Sequence, residues 1–363
     1  MWTNSETPYN NLPELPPARE LETKEILKKA IEANKYLAGL KWSCQRLPDP
    51  QILINTVVMQ ESKDSSAIEN IVTTQDALYQ AVISPNDLIP HQTKEVLRYK
   101  HAIYAGVDSM STNSNLLLGK TAIEIMQKIK NTQEGYRKLP GTQLGNPASK
   151  KIIYTPPEPV HVADMMAQWE RFVNEPSEVD PVIKMALMHY QFEAIHPFAD
   201  GNGRTGRILN VLYLLKEGLL TLPVLYHSAY IIQHKTEYYT CLREVTEKGN
   251  WENWVIFMLD AVTETAQRTL NIIESMLDLK EQTLNAVRKI SQKIPATDLT
   301  ELLFSYPYIK IKVLEDKGIA KRQTASGYLQ KLAQHGILTP LKVGKEMYYI
   351  NTKLMNIITN GNE

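Results

Sequence analysis

The stretch His196-Pro197-Phe198-Ala199-Asp200-Gly201-Asn202-Gly203-Arg204-Thr205-Gly206-Arg207 follows one helical pattern and opens another. Upstream, Val182, Ile183, Ala186, Leu187 and Tyr190 recur at helical spacing, so Pro181 to Ala194 reads as a helix. Thr205 to Glu217 reads as the next. Between them, Gly201 and Gly203 lack a Cβ, which frees the backbone to take φ > 0 and turn its amide N–H groups toward one point. With a helix starting at Thr205, the positive end of its dipole faces the same point and makes an anion cradle. Arg204 and Arg207 are three residues apart and share a helix face, within reach of a polyphosphate. Asp200 is a hard oxygen ligand suited to the Mg²⁺ that accompanies such phosphates. His196 lies four residues before it, where a neutral imidazole can take a proton from an attacking hydroxyl.

Three other readings compete. Gly201-x-Gly203-x-x-Gly206 matches the dinucleotide-binding fingerprint, but that fingerprint needs a preceding strand and here a helix precedes it. The glycine turn could simply join two helices, with the arginines as solvated charges and His196 as a packed histidine. His189, His196, Asp200, His227 and His234 could also form a hydrolytic metal cluster, although no HExxH or similar paired spacing occurs.

The remainder of the chain bounds these options. Its 363 residues favour two or three domains. Forty Lys+Arg balance forty Asp+Glu, so no global charge draws the chain to nucleic acid or anionic lipid. Cys44 and Cys241 are the only cysteines, which excludes a disulfide scaffold or a Cys-rich zinc site and points to a reducing compartment, the cytoplasm. No apolar run approaches the ~18 residues of a membrane span, and no export signal opens the sequence.

Four prolines fall within residues 1–20, an extended arm with no helical period. From Glu20 to Val72 apolar spacing is helical, and helical stretches follow at Thr93 to Asp108, Asn115 to Lys130 and Val162 to Asn174. Lys150 to Thr155, stopped by Pro156 and Pro157, reads as a short edge hairpin. Near the C-terminus, Ile311 to Lys317, a Gly318 break and Thr324 to His335 read as helix, turn, helix, with Gly336 as the stop. Two alternating runs around a Gly344-Lys345 turn add a two-stranded wing, the order of a winged helix-turn-helix. Residues 301–363 carry nine Lys+Arg against five Asp+Glu, a modest local positive charge.

HPFADGNGRTGR matches the HPFx(D/E)GNGRxxR signature at every fixed position, and the chain resembles the Fic family, whose members mostly transfer AMP from ATP to protein hydroxyls. The resemblance extends from about Leu37 to the C-terminus. KKIIYTPPEPV looks like the family's flap hairpin, Tyr238-Tyr239 stands where a nucleotide-contacting tyrosine pair is found, and GNWENWVIFML is similar to the helix that closes the family core. The resemblance implies a mainly α fold: a helical Fic core with a β-hairpin flap, an N-terminal helical inhibitory region and a C-terminal winged helix-turn-helix. It divides the chain at residues 1–110, 111–265 and 266–363.

By the same resemblance, His196 is the general base, Asp200 holds Mg²⁺, and Gly201 to Gly203 bind the α and β phosphates of ATP. Asn202 orients the α-phosphate, Arg207 clamps the γ-phosphate, and Thr205 and Gly206 complete the ATP-binding stretch with Tyr238 and Tyr239. Phe198 anchors the loop, and Arg204 is either a phosphate ligand or a loop brace. Ile153, Tyr154 and Thr155 in the flap dock the target protein by strand addition.

Ser65-Ser66-Ala67-Ile68-Glu69-Asn70 resembles the (S/T)xxxE(G/N) inhibitory motif of the family. Ser65 and Glu69 share a helix face, and the Glu69 carboxylate offers Arg207 the acceptors a γ-phosphate would offer. The competing reading is that Ser66-x-x-Glu69 is a capping box at a helix start. The partners implied are a target protein, the chain itself as substrate and a second copy, with no membrane. DNA binding by the C-terminal domain stays open, since Arg322, Gln323 and Thr324 begin its recognition helix and Lys342 and Lys345 sit in the wing. A DNA-binding regulator with a nucleotide-sensing core, removal of AMP rather than its transfer, and another phospho-transfer reaction on the same fold stand as alternatives.

Overall fold

The computed structural model describes residues 4–18, 20–47, 50–74, 77–78, 89–146, 151–343 and 346–360. Lys150, the Gly344-Lys345 turn and the first three residues of the arm lie outside these. The architecture is mainly α, with small antiparallel sheets. In chain order the elements are α1 (Lys24–Gln45), α2 (Gln51–Ile68), α3 (His91–Thr112), α4 (Gly119–Lys130), β1 (Leu144–Asn146), β2 (Lys151–Tyr154), α5 (Pro159–Asn174), α6 (Pro181–Ile195), α7 (Asn202–Lys216), α8 (His227–Gln233), α9 (Lys235–Lys248), α10 (Trp251–Ile290), α11 (Ala296–Ser305), β3 (Tyr308–Ile309), α12 (Ile311–Asp316), α13 (Arg322–Gln334), β4 (Thr339–Val343), β5 (Glu346–Ile350) and α14 (Thr352–Asn360).

Packing separates two units, one of residues 1–38 with 58–266 and one of residues 39–57 with 267–363. In the first, α6 is the central helix, with Val182 to Phe192 buried on every side, as a helix apolar all round must be. Its start is fixed by Asp180, whose carboxylate accepts from the Val182 and Ile183 amides, and by Pro181 in the first turn. Helices α5 and α7 pack on it, and α7 also packs on α3 and α4. Trp169, Phe192 and Phe198 pack with tilted rings through this interface and are buried.

Several boundaries differ from the sequence reading. Helix α4 begins at Gly119 rather than Asn115, because Ser114 and Asn115 take left-handed φ of 57° and 63°. Helix α5 begins at Pro159, with proline in the first turn, where its missing N–H costs nothing. Helix α7 begins at Asn202, three residues before Thr205, so Gly203 and Arg204 are already helical. Helix α2 stops at Ile68, and Val72 is exposed beyond it. The extended arm does not stand free: Tyr9 N–H donates to Thr155 O, Thr155 Oγ1 to Ser5 O, and Gln191 Nε2 to Pro13 O.

In the second unit, α12 and α13 flank a turn whose Gly318 has φ 72°, and Gly336, φ 69°, follows the end of α13. β4 pairs with β5 in antiparallel register, and β3 adds to the other edge of β5.

Candidate active site

The loop from His196 to Gly201 joins the C-terminus of α6 to the N-terminus of α7. His196 caps α6 in the left-handed conformation, φ 51° and ψ 60°, and its N–H donates to Phe192 O. Arg137 holds that turn from outside, donating from Nε to His196 O (2.8 Å) and from Nη2 to Pro157 O (2.5 Å) and Ile195 O (3.3 Å). Asn202 staples the loop: its Oδ1 accepts from Phe198 N–H and its Nδ2 donates to Phe198 O, both at 2.8 Å. The Phe198 ring fills the core against Tyr136 and Phe192, as expected of an anchor. The amides of the first turn of α7 and its dipole thus face the loop mouth.

The two glycines act differently. Gly201 takes φ 87°, the conformation predicted for both. Gly203 is helical with ordinary φ; a Cβ there would collide with Glu69 Oε1 and stand 2.9 Å from Arg207 Nη1. It is needed for close approach, not for turn geometry.

The two arginines also part company. Arg204 Nη1 donates to Glu95 Oε1 at 2.6 Å, with Nη2 3.5 Å from Asp200 Oδ1, so it braces the loop rather than pointing at its mouth. Arg207 donates from Nε to Ser65 Oγ (2.8 Å), and from Nη2 to Ser65 O (3.0 Å) and Glu69 Oε1 (3.0 Å). Both side chains are 1% exposed. Thr205 is buried, and Gly206 faces α6, where a Cβ would stand 2.5 Å from Glu193 Oε1. Tyr238 is also buried, bonded to His189 Nε2 at 2.9 Å, while Tyr239 is 45% exposed and edge-on to it. In the flap, Ile153 is exposed, Tyr154 Oη donates to Ala194 O at 2.7 Å, and Thr155 is taken by the arm.

Ser65 to Asn70 lies at the end of α2, so the capping box expected of a helix start does not form. Instead the segment closes as a Schellman turn: Asn70 N–H donates to Ala67 O, Ile71 N–H to Ser66 O, and Asn70 takes φ 62°. This explains why glycine or asparagine suits the position after Glu69.

Residues 117–214 match the family model described as Fic/DOC family, residues 27–108 match Fic/DOC family N-terminal, and residues 279–354 match the C-terminal domain of protein adenylyltransferase SoFic-like. Together these span more than two thirds of the chain. The chain belongs to the Fic/DOC family. Among curated relatives it is 27% identical to a probable protein adenylyltransferase of Aquifex aeolicus over 53% of this chain and 57% of that one. It is 36% identical to protein adenylyltransferase Fic of Drosophila melanogaster over 31% and 22% of the respective chains. The chain thus spans little more than half, or less, of these relatives' length. In fold it is similar to a Fic family protein from Desulfovibrio desulfuricans (TM-score 0.59, 19% identity, 90% of this chain and 96% of that one) and to residues 134–508 of Caenorhabditis elegans Fic-1 (TM-score 0.54, 18%, 69% and 73%).

Within this Fic/DOC loop the electrostatics follow from burial and neighbours. Desolvation, then the positive charge of Arg137, pushes the half-buried His196 imidazole down to about 4, so it is neutral near pH 7. Asp200 is 62% exposed and paired with Lys130 at 2.6 Å. Burial works to raise its carboxyl, but the Lys130 bond and charge, with Arg204, hold it below the ordinary value. Among the described residues no group of three or more His, Cys, Asp or Glu is placed to hold a metal ion, so an all-protein metal cage and the hydrolytic cluster are both absent there. One accessible carboxylate fits Mg²⁺ that is held mainly by substrate phosphates.

Glu95, Lys130 and Arg137 brace the Fic/DOC loop, Glu193 lies against Gly206, Glu61 and Lys235 hold α2, and all six escaped the sequence reading. Only Glu61 left a trace, a carboxylate four residues before Ser65 and eight before Glu69 in α2. No described helix is long and apolar enough to cross a membrane.

Proposed function

We propose that this Fic/DOC protein is a nucleotidyltransferase, a protein adenylyltransferase held in check by its own α2. ATP lies with its phosphates on the Gly201–Gly203 turn at the head of α7. A hydroxyl of a target protein, or of the chain itself, approaches along the β2 edge. His196 takes its proton at the imidazole as the oxygen bonds to the α-phosphorus; the bond from that phosphorus to the bridging oxygen of the β-phosphate breaks, and pyrophosphate leaves. Asp200 would hold Mg²⁺, which when bound supplies neutralising charge on the phosphates. The reading rests above all on a neutral His196 beside a glycine turn that opens a helix, inside a family of adenylyltransferase relatives.

The brake is Glu69. Its carboxylate accepts from the guanidinium that would take the γ-phosphate, so ATP binds displaced while the contact lasts. Residues 1–110 then form the regulatory region, 111–265 the catalytic core and 266–363 a winged-helix domain. Incubation with ATP labelled at the α-phosphate tests both parts. Glu69→Gly should raise labelling about 10-fold or more over wild type, since a hydrogen bond to a charged group is worth about 1.5–3 kcal/mol, and Glu69→Gly with His196→Ala should abolish it. Equal labelling by wild type and Glu69→Gly removes the brake, and labelling that survives His196→Ala removes the base. Loss of AMP from a pre-modified protein would favour the reverse reaction instead.

A second reading concerns the C-terminal unit. Arg322, Gln323 and Thr324 are exposed at the start of α13, where a recognition helix presents base-reading groups. Electrophoretic shift with random duplex at low and moderate salt tests it, and no shift at low salt refutes it.

A further inference from the structure

Helix α2 carries a second carboxylate behind the Glu69–Arg207 contact. Glu61, Ser65 and Glu69 stand at i, i+4 and i+8, hence on one face over two turns. Glu61 is 2% exposed, and a buried carboxylate costs several kcal/mol unless donors surround it. They do: Oε1 accepts from Tyr99 Oη at 2.9 Å and Ser228 Oγ at 2.5 Å, and Oε2 from the Ser228 N–H at 3.3 Å. Tyr99 comes from α3 and Ser228 from α8, so one carboxylate ties α2 to two helices.

The charged and titratable groups that face it are Arg207 from α7, Tyr99 from α3 and Asp64 on its own helix. Burial raises its carboxyl to about 7 against the pull of Ser228, Arg207 and Tyr99, which leaves a good share of negative charge at neutral pH. The far end of the same stretch is pinned by α9: Lys235 Nζ donates to Ile68 O at 2.6 Å and Asn70 Oδ1 at 3.4 Å. Ser65 and Glu69 therefore lie between two fixed points. Their bonds to Arg207 are 2.8–3.0 Å long, and a helix shift of about 1 Å would take them beyond hydrogen-bonding distance.

We propose that Glu61 is a positioning residue of the brake: its bonds to Tyr99 and Ser228 fix the depth and rotation of α2 so that Ser65 and Glu69 meet Arg207. This rests on the reading of Glu69 as inhibitory. It touches neither nucleotide nor target, and its effect passes entirely through α2.

The test uses the full chain and self-labelling with α-labelled ATP, with the Michaelis constant for ATP, the turnover rate and the melting temperature recorded for each form. Glu61→Gln keeps the shape but removes the charge and sets its amide NH₂ either against the Ser228 N–H, which only donates, or against hydroxyls that must then accept instead of donating, and Ser228→Ala removes the Oγ bond from the other side. Each is expected to raise labelling about 3- to 10-fold while Glu69 is present and to change it less than twofold in the Glu69→Gly background. A merely structural role would instead lower melting temperature and labelling alike in both backgrounds, and that pattern overturns the proposal. If Glu69→Gly activates but neither Glu61→Gln nor Ser228→Ala does, the positioning role is overturned and the brake stands. If Glu69→Gly itself fails to activate, the brake falls and the positioning role with it.

Discussion

Replacing Asn202 by alanine separates two roles for that side chain. The family resemblance implies a role on the α-phosphate, whereas its amide is already committed, with one acceptor and one donor on Phe198 at 2.8 Å each. Asn202 is 2% exposed and Phe198 is fully buried, so water has no access to the groups left behind. Leaving the buried Phe198 N–H and C=O without their partner costs about 1–3 kcal/mol each. Some relaxation of the loop recovers part of this, for a net loss of about 2–5 kcal/mol. At about 2–4 °C per kcal/mol for a domain of this size, the ligand-free melting temperature should fall by roughly 5–15 °C. Asn202→Asp should do little better, because its second oxygen meets the Phe198 carbonyl and cannot donate. Calorimetric melting without nucleotide reads the loop directly, and titration with a non-hydrolysable ATP analogue reads the phosphate role. Melting of Asn202→Ala within a degree of wild type, together with lost nucleotide binding, would refute the staple.

Further outcomes follow from the same geometry. Gly203→Ala should destabilise the chain by forcing Glu69 aside, and adding Glu69→Gly should recover part of the loss; strictly additive melting shifts would contradict the close approach. Desolvation raises the Glu193 carboxyl to about 8, so from about pH 4.5 to 8 the folded chain keeps a proton that the unfolded chain releases, and this group's contribution to stability falls as pH rises. Glu193→Gln should therefore gain on wild type in melting temperature between pH 5 and 8.5, and parallel curves would sink the argument. His196 must be neutral to accept a proton and is held near 4, so kcat/KM of the Glu69→Gly form should stay flat down to about pH 6 and fall only toward 4; half-loss near 6.5 would place an ordinary histidine there. His196 and His227 are both depressed to about 4, so the unfolded chain takes up their protons first and their contribution to stability is lost as pH falls from about 6.5 to 4.

Local signals were readable wherever the backbone itself states them. Pro181 opens α6, Gly318 and Gly336 punctuate α12 and α13, and the prolines after Thr155 stop β2. The errors at α4 and α7 have a common cause: left-handed residues such as Asn115, and a helix that starts on asparagine and glycine, carry no apolar periodicity to betray them. The loop's residue types and their place at a helix junction were legible because they lie within twelve consecutive positions. Its supporting cast was not, since Glu95, Lys130 and Arg137 come from other helices and loops and have no sequence spacing relative to His196.

Sequence alone determined that a histidine, a carboxylate, a glycine turn and two arginines sit at the junction of two helices, because neighbours along a chain stay neighbours in space. Only tertiary structure decided what each of them meets. Arg204 is spent on Glu95, Arg207 is held by Ser65 and Glu69 from 138 or more residues away, and Gly203 is small because Glu69 arrives there. Such pairings depend on how α2, α3 and α7 pack, and a buried charge accepts whichever partner that packing brings within hydrogen-bonding distance.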